Sequence, residues 1–255
     1  MKKSVKILLS ILCVAFVFVF AFSGYKLYSI MHEYKVSEGK YNDLNSKFVT
    51  AGGKNGGEDG PLKNEETSPI SVDFDALLAE SDDVVGWIHS ENTAIDYPVV
   101  KAEDNFYYLH RFIDGSYNGG GSIFLDCLCA GDFSGKNTVI YGHNMNDGSM
   151  FASLRDYRED GYYAEHPKLY LNTPTQNYRI EVFAGYVTDA DSDTYDIGFT
   201  DDAAYLAFLE KMRSQSDFET NVELTAEDRI VTLSTCSYEY YDARYVIQGK
   251  LVPIN

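Results

Sequence analysis

The chain has 255 residues, enough for one domain of ordinary size plus attachments. Its 21 Tyr and 15 Phe suit a β-rich fold and argue against disorder. The formal net charge of −18 argues against nucleic acid as a partner, because neutralising phosphates requires a basic surface, and the acidity itself favours solubility.

The N-terminus predicts a membrane anchor. Residues 1–6 are basic, and residues 7–25 contain no charged side chain. At helical rise this span is about 28 Å long, close to the roughly 30 Å of a bilayer core. Lysines before it and an acidic remainder after it predict a cytoplasmic N-terminus and an extracellular remainder. The competing interpretation is a cleaved signal peptide, for which residues 21–23 (Ala-Phe-Ser) supply a small-x-small site. Both interpretations export residues 26 onward.

A stalk and a linker are predicted over residues 26–70. Residues 27–48 are polar with scattered apolar positions, a pattern that predicts a helical stalk. Five glycines and one proline within residues 50–61 mark a flexible linker. We therefore expect the folded domain to cover residues 71–255.

The elements expected in this domain are mostly strands. Helices are expected behind the capping residues Ser71, Ser149 and Thr200. The second would carry Met150, Phe151, Leu154 and Tyr157, and the third would bury Tyr205, Phe208, Leu209 and Met212. Strands are expected over residues 83–88, 94–100, 137–141, 169–171, 178–187, 230–235 and 245–247, and residues 119–125 are interpreted as a glycine turn that enters a strand. Many strands with few helices favour a mainly β fold, a closed or nearly closed barrel with helical additions.

The four cysteines do not form a disulfide framework. Cys13 lies in the apolar N-terminal run, and Cys127 and Cys129 sit two residues apart along one chain, a poor geometry for bridging. No second ligand pair with matching spacing supports a metal site, so both are interpreted as small apolar filler. Cys236 is then a free thiol.

The C-terminal residues predict a hairpin that carries chemistry. Cys236 ends one β-branched run and Arg244 begins the next. If the two strands pair antiparallel, opposed Cβ atoms are about 5 Å apart, which sets a thiol beside a guanidinium. A cation next to a cysteine favours the reactive thiolate, although a lone buried cysteine is usually inert.

One histidine fits this site. His143 follows a strand end, whereas His32 lies in the stalk, His166 in a loop, and His89 and His110 among polar neighbours. Nucleophilic attack at an amide needs a thiolate, an acid for the departing amine and donors for the tetrahedral oxygen. The cysteine, this histidine and the arginine supply these types. No side chain that would orient the histidine is identifiable.

Three motifs carry a resemblance to a known family. Residues 232–236 (Thr-Leu-Ser-Thr-Cys) match the signature of sortases, the cysteine transpeptidases of Gram-positive cell surfaces. Residues 242–244 (Asp-Ala-Arg) resemble their arginine segment and residues 141–145 (Tyr-Gly-His-Asn-Met) their histidine segment. The resemblance covers roughly residues 71–252. The helical lead-in and the helix near Asp201 are similar to those of class B, which implies a closed barrel of about eight strands with N-terminal helices and an extra helix between late strands.

The resemblance implies a role for each site residue. Cys236 would attack the bond after Thr in a C-terminal sorting signal and form a thioacyl enzyme, with His143 as acid and then base. Arg244 would hold the substrate backbone and the oxyanion. The peptide groove would involve Asn105, Leu109, Tyr141, Tyr195, Ile197, Ser234 and Thr235, of which the first five could equally be packing residues. A Thr235 side-chain contact would require a kink, because a regular strand points it away from Ser234.

The resemblance thus implies a membrane-anchored class B transpeptidase that joins surface proteins to a peptidoglycan amine without metal or organic cofactor. A pilin-polymerising enzyme, a hydrolytic thiol peptidase and a non-enzymatic adhesion module are the alternatives. Asp242 could either orient Arg244 or merely offset its charge.

Overall fold

The computed structural model describes residues 3–52 and 67–255 and contains two compact units, one ending at Lys40 and one running from Tyr41 to Asn255. The first helix, α1 (Lys3–Phe48), is long and apolar enough to cross a membrane, with a mean hydropathy of 2.8 in its most apolar window. The part of the predicted linker over residues 53–61 lies outside the described residues.

The remaining elements follow in chain order. The strands are β1 (Val49–Ala51), β2 (Ile70–Val72), β3 (Val84–His89), β4 (Asp96–Lys101), β5 (Ile123–Leu125), β6 (Asn137–Tyr141), β7 (Lys168–Asn172), β8 (Asn177–Asp189), β9 (Ile230–Cys236) and β10 (Ala243–Ile254). The helices are α2 (Phe74–Glu80), α3 (Tyr162–Glu165) and α4 (Asp202–Ser214), with short 3-10 helices at Tyr107–His110, Ala152–Arg158 and Asp193–Tyr195.

Eight strands close into a barrel in the order β10-β8-β7-β3-β4-β5-β6-β9, which confirms the mainly β barrel. Two of the pairings, β4 with β5 and β6 with β9, are parallel. The extra helix α4 lies between β8 and β9 in the chain, as predicted. It buries Tyr205, Phe208, Leu209 and Met212.

The second unit includes chain that precedes Ser71. The last turns of α1 bury Tyr41, Leu44 and Phe48 in the barrel core. Residues 50 and 51, at the start of the predicted linker, belong to β1 instead, which pairs antiparallel with β2. The barrel is therefore packed against chain segments on both sides of the glycine-rich stretch.

Two predicted helix caps were wrong by one or two residues. Asp73, not Ser71, caps α2 by accepting a hydrogen bond from the backbone N–H of Ala76, and Ser71 lies in β2. Asp201, not Thr200, caps α4 in the same way. Aspartate and serine are both good capping residues, so the backbone entering each helix decides which side chain reaches the free N–H groups.

The helix predicted behind Ser149 was also wrong in type and start. A 3-10 helix begins at Ala152, without a side-chain cap, and Met150 adopts a left-handed conformation with φ of 58°. The hydroxyl of Ser149 donates to Asp147 instead of capping a helix. The backbone closes this turn instead, because the N–H of Ala152 donates to the Ser149 carbonyl.

Candidate active site

Cys236 and Arg244 face each other at the loop end of the hairpin that β9 and β10 form. β9 and β10 pair antiparallel, and the register aligns Cys236 directly with Arg244, which confirms the predicted pairing. The half-buried thiol is at the last position of β9. A nucleophile and a cation are thus fixed side by side by the sheet.

The Arg244 guanidinium is held by its own chain. Its Nη2 lies 2.8 Å from Oδ1 of Asp242, and its Nη1 donates to the backbone carbonyls of Asp242 and Ala243, both at 3.1 Å. Asp242 adopts a left-handed conformation with φ of 63°, which turns its carboxylate toward the arginine. This geometry shows that Asp242 orients the guanidinium.

His143 reaches the same site from β6. That strand is parallel to β9, and the backbone N–H of Gly142 donates to the Ser234 carbonyl at 3.1 Å. The glycine is required by close packing: a Cβ there would lie 2.5 Å from Ile123 Cδ1 and 2.7 Å from the Phe151 ring. His143 is therefore carried past the end of β6 at the level of Cys236.

The ring of His143 has a defined tautomer. Its Nε2 lies 2.8 Å from the carbonyl oxygen of Leu109, and since a carbonyl only accepts, Nε2 carries the proton. Nδ1 is then the nitrogen available for proton transfer. Burial lowers the pKa of His143, and His110, whose ring stacks on it at 5.5 Å, lowers it further. Within the described part of the chain, neither ring nitrogen is hydrogen-bonded to the Cys236 thiol.

A pocket of about 410 Å³ joins these three residues. It is lined by His143, Cys236 and Arg244 and by the predicted groove residues Asn105, Leu109, Tyr141, Tyr195, Ser234 and Thr235. Of the predicted groove residues, all within the described ranges, Ile197 alone is not in its lining; it packs, partly buried, against the barrel core.

One wall of the pocket is organised by a carboxylate that the sequence did not reveal. Asp126 is buried and accepts hydrogen bonds from Asn105 Nδ2 at 2.8 Å and from the Tyr141 hydroxyl at 3.0 Å. Asn105 Oδ1 accepts from the backbone N–H of Cys127. Burial, with the Asp126 charge nearby, raises the pKa of Tyr141. Both groove side chains are thereby fixed before any peptide arrives.

The opposite wall contains a second fixed pair. The hydroxyls of Tyr195 and Ser234 are 2.9 Å apart, and burial raises the pKa of Tyr195 to about 12, so it stays protonated at neutral pH. β9 continues without a register shift to Cys236, so the kink that a Thr235 side-chain contact would need is absent from this described strand. Thr235 is 2% exposed on the other face, which leaves its main chain to line the pocket.

The other cysteines do not contribute to this site. All four cysteines, each within the described residues, are free thiols, as predicted. Cys129 is buried, accepts a backbone N–H bond from Val139, and has its pKa raised by burial. Across residues 3–52 and 67–255, no cluster of three or more His, Cys, Asp or Glu could hold a metal ion.

A thiol, an imidazole nitrogen and a fixed guanidinium around one cavity can perform acyl transfer through a covalent intermediate. The thiol supplies the nucleophile, the imidazole moves the proton, and the guanidinium stabilises negative charge on a tetrahedral oxygen.

Comparisons with known proteins agree with this chemistry. The family model described as "Sortase domain" matches residues 88–252. Sortase B of Listeria monocytogenes is 37% identical over 236 residues, which cover 92% of each chain. Sortase B of Bacillus anthracis superposes with a TM-score of 0.73 at 34% identity, covering 88% of this chain and 99% of the other.

The Staphylococcus aureus sortase B–substrate complex superposes with a TM-score of 0.68 at 31% identity, covering 71% of this chain and 85% of the other. The residues that match the family model, 88–252, extend from β3 into β10 and include all three motifs and the whole pocket lining. The chain therefore belongs to the sortase family of cysteine transpeptidases, within class B.

Proposed function

We propose that this enzyme cleaves a C-terminal sorting signal after Thr and transfers the surface protein to a peptidoglycan amine. The observation that carries the proposal is the convergence of Cys236, His143 and Arg244 on one pocket. The Staphylococcus aureus relative, solved as a substrate complex, supports a peptide as first substrate.

The reaction uses the geometry in two steps. Nδ1 of His143 takes the thiol proton as the Cys236 sulfur attacks the Thr carbonyl carbon, and the N–H groups of Arg244 stabilise the resulting oxyanion. The peptide C–N bond breaks as Nδ1 of His143 protonates the leaving amine, which leaves a thioester on the sulfur. An incoming amine then loses a proton to His143, attacks the thioester and expels the thiolate.

The peptide is held by the two fixed walls of the pocket. Asn105, Leu109 and Tyr141 contact it on the Asp126 side. Tyr195, Ser234 and the main chain of Thr235 contact it on the other side. Because these groups are already positioned by hydrogen bonds, little side-chain freedom is lost on binding.

The test uses the full chain in detergent with a sorting peptide, with and without a wall-type amine, and follows products by mass spectrometry. We expect a thioacyl adduct on Cys236 and, with the amine, a ligated product. Cys236→Ala abolishes both, whereas Cys127→Ala, at a second partly exposed free thiol, does not.

Four results would contradict the proposal. Cleavage by Cys236→Ala at the wild-type rate would exclude the thiol mechanism. Hydrolysis without amine capture would identify a peptidase, and capture of a pilin lysine alone would identify a pilin polymerase. Binding of the peptide without cleavage would leave the protein as an adhesion module.

The enzyme is proposed to be a single-pass membrane protein. Residues 1–6 are cytoplasmic, 7–25 span the membrane, 26–40 form the stalk, and the unit that begins at Tyr41 is the extracellular catalytic part. The apolar part of α1 supports this arrangement. We expect the membrane fraction to contain the chain with its N-terminus intact and the catalytic part accessible to external protease. An intact mass lacking the first 23 residues would instead identify a cleaved signal peptide.

A further inference from the structure

The residue that follows His143 holds the nucleophile. Nδ2 of Asn144 donates to the backbone carbonyl of Cys236 at 2.7 Å, and Asn144 is 8% exposed. This bond joins the histidine segment to the end of β9 across 92 positions of sequence. It involves the residues adjoining the chemistry but none of the reacting atoms.

The Cys236 carbonyl needs this partner because a neighbouring strand has ended. Alternate carbonyls of a strand point to the same neighbour, and the Ser234 carbonyl points to β6, where it accepts from Gly142. The Cys236 carbonyl, two residues on, points the same way, but β6 ends at Tyr141. The Asn144 side-chain amide takes the place of the missing strand.

Asn144 is itself held rigidly. It forms a β-bridge with Met150, whose backbone N–H donates to the Tyr97 hydroxyl at 3.0 Å. Next to it, the carbonyl of His143 accepts from the backbone N–H of Phe151 at 2.9 Å, and Phe151 is fully buried. The segment that carries the acid is thus fixed to the core, and one amide fixes the nucleophile to that segment.

We propose that Asn144 is a positioning residue, which sets the backbone of Cys236, and hence the direction of its Cβ–Sγ bond, relative to Nδ1 of His143. This role rests on the proposed function. Strand ends fray because they lack ladder partners, and the nucleophile is at such an end. A displacement of about 1 Å in a reacting group can reduce a rate by about a hundredfold.

The test compares two reactions of the same thiol in the full chain. Thioacyl formation with the sorting peptide requires alignment, whereas alkylation by iodoacetamide requires only an accessible thiol. Asn144→Asp keeps the shape of the side chain but replaces the donor with a carboxylate. We expect kcat for thioacyl formation to fall about ten- to hundredfold with KM within about twofold, and alkylation of Cys236, followed by peptide mass spectrometry, to stay within about twofold.

The matched control is Asn172→Asp. Asn172 is also buried, and its Nδ2 also donates to a backbone carbonyl, that of Ile70 at 3.2 Å, but it lies in β7 and outside the pocket lining. It should lower the melting temperature without changing the thioacylation rate of the folded protein. If Asn144→Asp does not fold, Asn144→Ser retains a shorter donor and should show the same selective loss to a smaller degree.

Wild-type thioacylation in Asn144→Asp, or equal loss of thioacylation and alkylation in both Asn144 variants, would overturn the positioning role. Wild-type enzyme that forms no thioacyl adduct would overturn the proposed function, and this role with it.

Discussion

At the scale of single residues, His143 is oriented by a backbone carbonyl where papain-like enzymes use a side chain. The Leu109 carbonyl fixes the proton on Nε2 and so assigns the transfer to Nδ1. A main-chain carbonyl has no sequence signature, which explains why no orienting residue was identifiable. In contrast, residue type, order and the family resemblance were enough to select Cys236, His143 and Arg244 as candidates, and the structure brings all three to one pocket.

The protonation of His143 can be tested through its stacked neighbour. Burial holds the pKa of His143 below the ordinary 6.5, and the electrostatic effect of the stacked His110 lowers that pKa further. His110→Gln should therefore raise the pKa of His143, measured by NMR titration of the ring protons. His166→Gln, a histidine stacked on Tyr162 at 4.1 Å, serves as control and should leave it unchanged.

The lowered pKa of His143 also makes the free energy of unfolding depend on pH. The folded state disfavours the imidazolium, so it binds fewer protons than the unfolded state between the lowered pKa and about 6.5. His143 therefore costs stability as the pH falls below about 6.5. If the pKa of His143 in His110→Gln is the same as in wild type or lower, the effect ascribed to His110 is contradicted.

The Asp242 carboxylate should contribute modestly to catalysis. Asp242→Gly removes it without backbone strain, because φ of 63° lies in the region that glycine adopts freely. The pair is partly exposed, with 26% of the Arg244 side chain and 56% of the Asp242 side chain accessible. We expect kcat/KM to fall about two- to fivefold, equivalent to roughly 0.5–1 kcal/mol.

Asp242→Asn, whose amide oxygen still accepts, should retain part of the activity that Asp242→Gly loses. Equal activity of wild type and both variants at low salt, where charge effects are least screened, would show that the carboxylate does not contribute to catalysis.

Two residues near the site could not be identified from the sequence, because their hydrogen-bond partners are distant in the chain. Asp126 is hydrogen-bonded to Asn105 and Tyr141, and Asn144 is hydrogen-bonded to the backbone carbonyl of Cys236. No local sequence pattern indicates a role for Asp126. The only sign for Asn144 was its position directly after His143. Such contacts become visible only once the strands are paired.

At the scale of elements, the hydrophobic pattern predicted the bounds of β6 more accurately than capping residues predicted the starts of helices. The bounds of β6 agree with the predicted residues 137–141, a short run with β-branched residues that ends at a glycine. Asp73 and Asp201 displaced the predicted caps, since several polar residues near each start could serve. Residues 50 and 51 of the predicted linker form part of β1 because they pair with β2, which lies on the far side of the glycine-rich stretch.

The turn before β5 is expected to control the histidine. Gly121 has φ of 58°, and a Cβ there would lie 2.4 Å from the carbonyl oxygen of Leu109. Gly121→Ala must displace that carbonyl and with it the acceptor of His143 Nε2. We expect kcat/KM to fall at least about tenfold, and the free energy of unfolding to fall by about 1–3 kcal/mol.

The control variant Gly161→Ala separates the effect of the clash with Leu109 from the effect of backbone strain. Gly161 also has a positive φ, of 87°, but open space surrounds its Cα, so alanine adds strain of about 1 kcal/mol without a clash. Its activity should match wild type. Retention of full activity by Gly121→Ala in a steady-state peptide assay would refute the link to His143.

At the scale of the whole molecule, the barrel depends on the end of α1. Tyr41, Leu44 and Phe48 are at most 9% exposed, and the Tyr41 hydroxyl donates to the Gly121 carbonyl at 2.6 Å. Each buried side chain contributes about 1.5–3 kcal/mol. This contribution is large against a typical total of about 5–15 kcal/mol.

A chain starting at Tyr41 should therefore be much more stable than one starting at Ser71. We expect urea unfolding to show a difference of several kcal/mol, together with reduced peptide cleavage by the shorter chain, because it lacks the support of Gly121. Coincident unfolding curves would show that the catalytic part is complete from Ser71.

The parallel pairing of β6 with β9 determines when the enzyme becomes active during folding. It joins segments so distant that Asn144 and Cys236 are 92 positions apart, and loops of this length close slowly. No local hairpin can bring His143 to Cys236. A partly folded chain in which these two strands are not paired therefore lacks the imidazole beside Cys236, and refolding protein should regain strand content before it regains transpeptidation.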